Sequence, residues 1–317
     1  MPADSLRSIH VVAAVITDPR GRILLARRGD GRDLAGLWEF PGGKREPGET
    51  SEAALIRELQ EELGITVQVG PALMQVPQRY PDKRLRLDVR HVTRWEGTPR
   101  GQEGQALAWV VPEKLRLYAM PPADRPVVAA LLQPDRYLIT PEPTGDATAW
   151  LSQLSLALGS GIHRVQLRAH SMAAEAWREV ATEATRRCRA VGAQVLINGD
   201  PELAQELGVG LHLRADQLMA GSAAANSKTG LLAASCHDVA QLEAAERFGC
   251  DFVVLGPVNA TATHPDAVPM GWEAFAQLRE SVSLPIYALG GLAVEDLAEA
   301  RRHGAQGIAA IRGLWPE

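Results

Sequence analysis

The chain has 317 residues, about twice the length of a typical domain, so its length predicts two domains. Its formal net charge is -5 and it has no Lys/Arg-rich stripe, which argues against duplex nucleic acid as a partner. No run approaches about 18 apolar residues and residues 1–5 do not begin a secretory signal pattern, so we expect no membrane contact and a cytoplasmic location. The three cysteines, Cys188, Cys236 and Cys250, are widely spaced, as expected of reduced thiols in that compartment.

The first part of the chain alternates strand-like runs with turns. Apolar runs at 11–16 and 23–28 flank a turn at 18–21, and a third strand-like segment spans 37–44. A short apolar helix is predicted at 125–132, just before Gln133-Pro134. The spacing of apolar runs and helical stretches changes after this point, so we predict domains at 1–133 and 134–317.

A helix with well-marked ends is predicted at residues 53–63. Thr50 or Ser51 supplies the N-cap, the segment consists of strong helix formers, and Gly64 supplies the stop. At about 100° per residue, one helix face carries three carboxylates and another carries three apolar side chains. The first set is Glu58, Glu61 and Glu62, and the second is Ile56, Leu59 and Leu63.

The three carboxylates indicate a metal site rather than an ordinary solvated helix. Like charges at these spacings repel each other, and no Lys or Arg follows in the next turn to neutralise them. Clustered carboxylate oxygens suit Mg2+ or Mn2+, which are often held together with substrate phosphates. Arg57 can hold a carboxylate by bidentate hydrogen bonding, and Gly43 lets the backbone approach the ion.

The segment 43–65 matches the box of the Nudix hydrolases, Gly-x5-Glu-x7-Arg-Glu-U-x-Glu-Glu-x-Gly-U with U aliphatic, at every specified position. The chain therefore resembles that family, which implies an α/β/α sandwich with a mixed sheet. By resemblance, Glu58, Glu61 and Glu62 bind Mg2+ together with the Gly43 carbonyl, and Mn2+ is able to substitute. The resemblance also implies that Arg57 positions a glutamate of the set. Glu58 is our choice for the catalytic base.

The surrounding segments are similar to the MutT branch, which hydrolyses oxidised purine nucleoside triphosphates. In that branch the residues corresponding to Arg28, Phe40 and Asp124 frame the base, and the one corresponding to Glu103 is an extra metal-binding carboxylate. The best-known bacterial members have asparagine where Asp124 stands here, which bears on base selectivity because an ionised aspartate only accepts hydrogen bonds. The alternative roles are core packing for Phe40, a solvated charge for Arg28 and an exposed turn for Glu103.

The second part of the chain contains eight short apolar runs, most of them separated by helical stretches. The runs lie at 137–140, 163–167, 194–198, 210–213, 231–235, 251–256, 285–289 and 307–311. Eight β/α units in about 180 residues predict a parallel (β/α)8 TIM-type barrel, with sites at the carboxyl ends of its strands.

This part resembles thiamine-phosphate synthase and its non-synthase relatives, from residue 137 to the C-terminus. Gly290 and Gly291 are placed to offer backbone N–H groups to a phosphate, and Arg312 could complete that site. Several synthase positions differ, however. The replacements are Ala169-His170, Gly199-Asp200, Arg214, and His264 at the end of the Thr-x-Thr segment. In addition, Asp216 stands one position earlier than the metal-binding aspartate of the family.

Those replacements remove or displace the groups that would hold Mg2+-pyrophosphate, so we do not expect synthase activity. His212 and His170 are either ligands of another phosphate compound or hydrogen-bonded residues at strand ends. The expected reaction of the first domain is 8-oxo-dGTP plus water giving 8-oxo-dGMP and pyrophosphate, with free oxidised purine nucleotides as partners. The alternatives are a general nucleoside di- or triphosphate hydrolase, a barrel that serves as a ligand-sensing or interaction module for the first domain, and a bifunctional enzyme that also makes thiamine phosphate. The sequence leaves the oligomeric state open.

Overall fold

The computed structural model describes residues 6–29, 31, 33–221, 230–261 and 268–316. Residues 1–5 and His264, which entered the expectations above, lie outside the described residues. The chain divides into two compact units, of which the first is Met1–Gln133 with Arg301–Gly304 and the second is Pro134–Ala300 with Ala305–Glu317. None of the helices in the described ranges is both long enough and apolar enough to cross a membrane.

The first unit contains seven strands and two α-helices within its described residues. They are β1 Arg7–Ile16, β2 Ile23–Arg27, β3 Trp38–Glu39, β4 Gly42–Lys44, α1 Ser51–Leu63, β5 Thr66–Arg79, β6 Lys83–Glu96, β7 Leu107–Val110 and α2 Arg125–Leu132. A four-stranded sheet has the order β4-β1-β6-β5, and a three-stranded sheet has the order β3-β2-β7. The larger sheet is mixed, because β1 runs parallel to β6 but antiparallel to β4.

Alternation along β1 places apolar side chains on both faces of the larger sheet. Val12 and Ala14 belong to one buried cluster together with residues of α1, whereas Ala13 and Val15 belong to another together with Val127 of α2. The predicted sandwich with a mixed sheet is therefore confirmed.

The apolar face of α1 differs in one residue from the prediction. Leu55, Leu59 and Leu63 are fully buried, but Ile56 is 40% exposed. Leu55, Leu59 and Leu63 follow each other at i, i+4 and i+8 along one stripe, and Ile56 lies to the side of that stripe. The prediction that Ile56 packs into the core is wrong.

The second unit is a closed barrel of eight parallel strands. The strands are β8 Arg136–Ile139, β9 Arg164–Leu167, β10 Gln194–Asn198, β11 Gly210–Leu213, β12 Leu232–Cys236, β13 Phe252–Leu255, β14 Ile286–Leu289 and β15 Gly307–Ala310, and β15 pairs with β8 to close the ring. The described helices are α3 Ala147–Gly159, α4 Ala174–Ala190, α5 Pro201–Leu207, α6 Ala215–Met219, α7 Val239–Arg247, α8 Gly271–Arg279 and α9 Leu297–Arg302. All eight predicted strands and the barrel are confirmed.

Side chains fill the interior of the barrel. Tyr137, Phe252 and Tyr287 pack against one another with ring centroids 5.2 to 5.7 Å apart. Buried Arg164 donates to Gln194 Oε1 at 2.7 and 2.8 Å and to the Tyr287 hydroxyl at 2.8 Å, and its guanidinium lies 4.3 Å from the Phe252 ring centroid. The barrel is thus a packed core rather than a pore.

Candidate functional site

Helix α1 presents the box carboxylates, and both of its ends are fixed locally. The Thr50 hydroxyl accepts a hydrogen bond from the Ala53 amide at 3.1 Å. At the other end, Gly64 adopts the left-handed conformation with φ 67°, and its N–H donates to the Gln60 carbonyl at 3.0 Å. These caps confirm the predicted start and stop of the helix.

Arg57 is the centre of a hydrogen-bond network that joins α1 to the preceding loop. Its Nε and Nη2 each donate at 2.9 Å to the two oxygens of Glu49, which gives a bidentate pair. Its Nη1 donates to Glu58 Oε1 at 2.8 Å and to Glu61 Oε2 at 3.3 Å, and its Nη2 also donates to the Lys44 carbonyl at 3.0 Å. The hydrogen bonds from Arg57 lower the pKa of Glu49 to about 2. Arg57 thus fixes the loop and two box carboxylates together.

The two glycines of β4 are required for different physical reasons. A Cβ at Gly43 would lie 2.1 Å from Glu58 Oε2, so the missing side chain leaves the space that this carboxylate occupies. A Cβ at Gly42 would lie 2.1 Å from the Val12 carbonyl oxygen, and Gly42 has φ 151°. Gly43 therefore makes room for a functional group, whereas Gly42 makes room for the neighbouring strand.

We predict that Gly43→Ala mainly lowers turnover, whereas Gly42→Ala mainly lowers stability. Gly43→Ala is expected to displace the Glu58 carboxylate and lower turnover by about tenfold or more, with little change in the free energy of unfolding. Gly42→Ala is expected to lower that free energy by about 3 kcal/mol, because rigid backbone must move. Urea unfolding and turnover at saturating Mg2+ measure the two effects. Equal loss of stability in both variants would contradict this assignment.

A cavity of about 280 Å³ lies beside the box helix. Its lining residues are Ala26, Arg27, Arg28, Gly29, Glu39, Glu62, Glu103 and Gln105. Burial raises the pKa of Glu62 to about 7, the charges of Glu39, Glu103 and Glu58 add to the rise, and a 3.3 Å bond from the Gly42 amide opposes it. Three other carboxylates thus lie within electrostatic reach of Glu62.

This set of carboxylates fits a divalent cation. Carboxylates that lie close together repel one another, and a hard cation that binds their oxygens removes that repulsion. Within the described ranges, no group of three Asp, Glu, His or Cys side chains stands as a ready ligand set. Glu58 and Glu61 instead hydrogen-bond to Arg57. Metal binding at this site would therefore reorient at least some of these carboxylates.

The residues predicted to frame the base are distributed between the cavity wall and the core. Arg28 lines the cavity, forms an ion pair with Glu39 and donates from Nε to the Asp33 carbonyl at 2.8 Å. Phe40 is 3% exposed and belongs to the core, which agrees with the alternative role of core packing. The Phe40 amide donates to Asp124 Oδ1 at 3.2 Å. Roles for these residues in base recognition stay predictions.

Three site residues were missed in the sequence. Glu49 accepts the two hydrogen bonds of the bidentate pair from Arg57. It could have been found from the sequence, because it is the first glutamate of the box pattern. Glu39 lines the cavity and pairs with Arg28, and Gln105 lines the cavity beside Glu103. Neither had a signal beyond its proximity in sequence to a predicted site residue.

At the carboxyl ends of the barrel strands, Gly290 and Gly291 both adopt positive φ, 109° and 62°. A Cβ at Gly290 would lie 2.6 Å from Pro257 Cβ, and one at Gly291 would lie 2.5 Å from the Ala260 carbonyl oxygen. Close packing on the loop after β13 is thus sufficient to explain both glycines. Arg312 is exposed in a 3-10 turn, Arg312–Leu314. Phosphate binding by these residues stays a prediction.

The two histidines of the barrel that the sequence analysis singled out, His170 and His212, have different surroundings. His212 is fully buried inside the barrel, where Nδ1 lies 3.1 Å from the Tyr137 hydroxyl and Nε2 lies 2.9 Å from the Ser235 hydroxyl. Burial lowers the pKa of His212 to about 3. His170 lies in the loop after β9, and its amide donates to both carboxylate oxygens of Glu142 at 2.8 and 3.0 Å.

Comparison with known proteins assigns a family to each unit. A NUDIX domain model matches residues 12–130, and a thiamine monophosphate synthase model matches residues 136–314, more than half of the chain. The chain is 43% identical over 127 residues to CTP pyrophosphohydrolase of Escherichia coli, covering 40% of this chain and 93% of that protein. It is 39% identical over 126 residues to 8-oxo-dGTP diphosphatase of Escherichia coli, covering 40% of this chain and 98% of that protein.

The second unit is similar to a different class of protein. It is 35% identical over 163 residues to thiamine-phosphate synthase of Prochlorococcus marinus, and the match covers 51% of this chain and 46% of that protein. The chain therefore belongs to the thiamine monophosphate synthase family through residues 136–314, and the NUDIX domain at residues 12–130 makes it a pyrophosphohydrolase of the Nudix class.

Proposed function

We propose that the first unit hydrolyses oxidised purine nucleoside triphosphates, converting 8-oxo-dGTP and water to 8-oxo-dGMP and pyrophosphate. The observation that carries this proposal is the group of carboxylates from Glu39, Glu58, Glu62 and Glu103 in and around one cavity. The similarity to 8-oxo-dGTP diphosphatase supports the choice of substrate. The reaction would act on free nucleotides in the cytoplasm and remove a mutagenic precursor before replication.

The chain's own residues account for metal binding and for water activation. Glu58, Glu61, Glu62, Glu103 and the Gly43 carbonyl would hold Mg2+, with Mn2+ as a substitute. When bound, the cation neutralises polyphosphate charge and lowers the pKa of water. Arg57 holds Glu58 through Oε1, so that Glu58 Oε2, beside Gly43, can align the attacking water and accept its proton. Water adds to the phosphorus beyond the nucleoside phosphate, and the bridging oxygen leaves with 8-oxo-dGMP.

The second candidate is hydrolysis of other nucleotides, favoured by the 43% identity to CTP pyrophosphohydrolase. A panel of 8-oxo-dGTP, dGTP and CTP with the full chain and Mg2+ separates the two, with products identified by chromatography and EDTA as the control. We expect the highest kcat/KM for 8-oxo-dGTP and no turnover with EDTA. A higher kcat/KM for CTP would favour the second candidate, and no turnover of any nucleotide would refute both.

Asp124 is predicted to make base selectivity depend on pH. Burial, chiefly, raises its pKa to about 7, and the nearby Glu39 charge adds to the rise. A protonated carboxyl both donates and accepts hydrogen bonds, as asparagine does, whereas an ionised one only accepts. The preference for 8-oxo-dGTP over dGTP should therefore be greater at about pH 6 than at about pH 8 in the unmodified chain.

Asp124→Asn should keep the preference for 8-oxo-dGTP constant across that pH range, because its amide does not titrate. The ratio of kcat/KM for the two substrates, measured at each pH, cancels titrations that affect both substrates equally. The same pH slope in Asp124→Asn and in the unmodified chain would remove Asp124 from base recognition.

For the barrel, we propose that it does not join a thiazole phosphate to a pyrimidine pyrophosphate. Ala169, His170, Gly199 and Arg214 stand where the family resemblance predicts groups that bind Mg2+-pyrophosphate. The Glu142 carboxylate also accepts from the amides of His170 and Ser171, and from the Ser171 hydroxyl at 2.7 Å. Negative charge thus occupies a backbone cradle that would otherwise suit an anion.

Expression of the full chain in a thiamine auxotroph, with a functional thiamine-phosphate synthase as positive control, tests this proposal. We expect no growth without thiamine and no thiamine phosphate from the purified chain. Growth together with detectable product would show that the protein is bifunctional.

A further inference from the structure

The loop between β6 and β7 is attached to the C-terminal end of α1 by main-chain hydrogen bonds. The Arg100 amide donates to the Leu63 carbonyl at 3.0 Å, and the Gln102 amide donates to the Glu62 carbonyl at 3.0 Å. The same loop carries Glu103, which lines the cavity with Glu62. The spacing of these two carboxylates therefore depends on how the loop is held against the helix.

The Gln105 side chain adds a bridge between the same two main-chain segments. Its Oε1 accepts from the Glu103 amide at 2.9 Å, and its Nε2 donates to the Glu62 carbonyl at 3.1 Å. One carboxamide thus contacts the backbones of both carboxylate residues. An apolar side chain of similar length would lose both contacts.

A tight turn in the backbone of the loop places Gln105 where its side chain can form this bridge. The Gly104 amide donates to the Gly101 carbonyl at 3.1 Å, which closes a turn around Glu103. A Cβ at Gly101 would lie 2.1 Å from the Gln105 carbonyl oxygen and 2.8 Å from Gln105 Oε1. The turn therefore brings Gln105 back over the start of the loop, and only glycine permits that approach at position 101.

We propose that Gln105 is a positioning residue that sets the spacing between the Glu62 and Glu103 carboxylates and thereby the affinity of the site for a divalent cation. The inference rests on the proposed metal site of the first unit. It adds a cavity-lining residue whose carboxamide acts through the main chain of the two carboxylate residues. Substitution of a group that orients metal ligands in this way usually lowers metal affinity without disrupting the fold.

Gln105→Met tests the bridge, and Gln102→Met is the matched control. Methionine has a similar length to glutamine but makes neither hydrogen bond, and Gln102 lies in the same loop with an exposed side chain. The Gln102 bond to Glu62 uses its backbone amide, so the control keeps that bond. Gln105→Asn keeps the carboxamide but is one methylene shorter, and we expect it to give an intermediate effect.

Two measurements on the full chain are needed, and neither depends on activity. The first is amide hydrogen exchange at Glu103 without metal, which should become faster in Gln105→Met and stay unchanged in Gln102→Met. The second is titration with Mn2+ followed by electron paramagnetic resonance. We expect Gln105→Met to weaken Mn2+ binding by about 10- to 100-fold. Unchanged circular dichroism and melting temperature verify that the variant is folded.

Activity measurements then add a third readout. In Gln105→Met the Mg2+ concentration for half-maximal turnover should rise, and the KM for the nucleotide at saturating Mg2+ should stay close to that of the unmodified chain. Unchanged Mn2+ affinity in folded Gln105→Met would overturn the inference, as would an equal loss in Gln102→Met. If the unmodified chain binds Mn2+ but hydrolyses no nucleotide, the proposed function fails while the metal titration still decides the role of Gln105.

Discussion

Glu58→Gln is expected to lower kcat by ~10²-fold or more at saturating Mg2+. The amide removes one charge from the cluster and replaces an oxygen that could bind metal or accept the proton of water. The Glu58 side chain is 15% exposed and its Oε1 accepts from Arg57, a bond that an amide oxygen can still accept. We therefore expect the free energy of unfolding to change little.

Glu61→Gln is expected to act in the same direction, and Glu113→Gln is the matched control. Glu113 is an exposed carboxylate in the 3-10 turn Pro112–Leu117 and is not among the residues that line the cavity. Turnover, metal dependence and urea unfolding of the three variants give the comparison. Near-normal turnover of both Glu58→Gln and Glu61→Gln at saturating Mg2+ would contradict the proposed metal site.

Arg57→Lys is the second substitution with a large expected effect, although it conserves the charge. The guanidinium makes five hydrogen bonds, two to Glu49 and one each to Glu58, Glu61 and the Lys44 carbonyl. A single ammonium group cannot form the bidentate pair and also reach both helix carboxylates. We expect kcat to fall by ~10²-fold, because Glu58 loses its fixed orientation.

Arg116→Lys, an exposed change of the same type, is the control for Arg57→Lys. The effect should appear in kcat more than in KM, because Arg57 acts through carboxylates. A kcat close to that of the unmodified chain would mean that the charge of Arg57, and not its hydrogen-bond geometry, matters.

Local sequence signals predicted the helix and the individual barrel strands well, because each of these elements depends on neighbours along the chain. The Thr50 cap and the Gly64 stop are readable from residue type, and the eight barrel strands are readable as short apolar runs. The same signals could not identify which carboxylate Arg57 binds. Glu49 becomes its bidentate partner only because the loop before α1 folds back beside the helix.

Periodicity also failed where long-range contacts decide the outcome. It placed Ile56 on the apolar face, but packing against the sheet selected Leu55 instead. The pairing of Arg28 with Glu39 joins β3 to the end of β2, and the bond from Phe40 to Asp124 joins residues 84 positions apart. Contacts of that separation depend on the assembled fold, so no local pattern predicts them.

Hydrogen bonds close the packed interior of the barrel at the amino ends of its strands. Arg164, Gln194 and Tyr287 close one end, and the Tyr287 hydroxyl and the Gln306 amide both donate to the Pro134 carbonyl there. Any ligand of the barrel would therefore bind at the rim formed by the loops that follow the strands. Changes among the stacked rings should alter thermal stability without altering ligand preference, whereas changes in the rim loops should do the reverse.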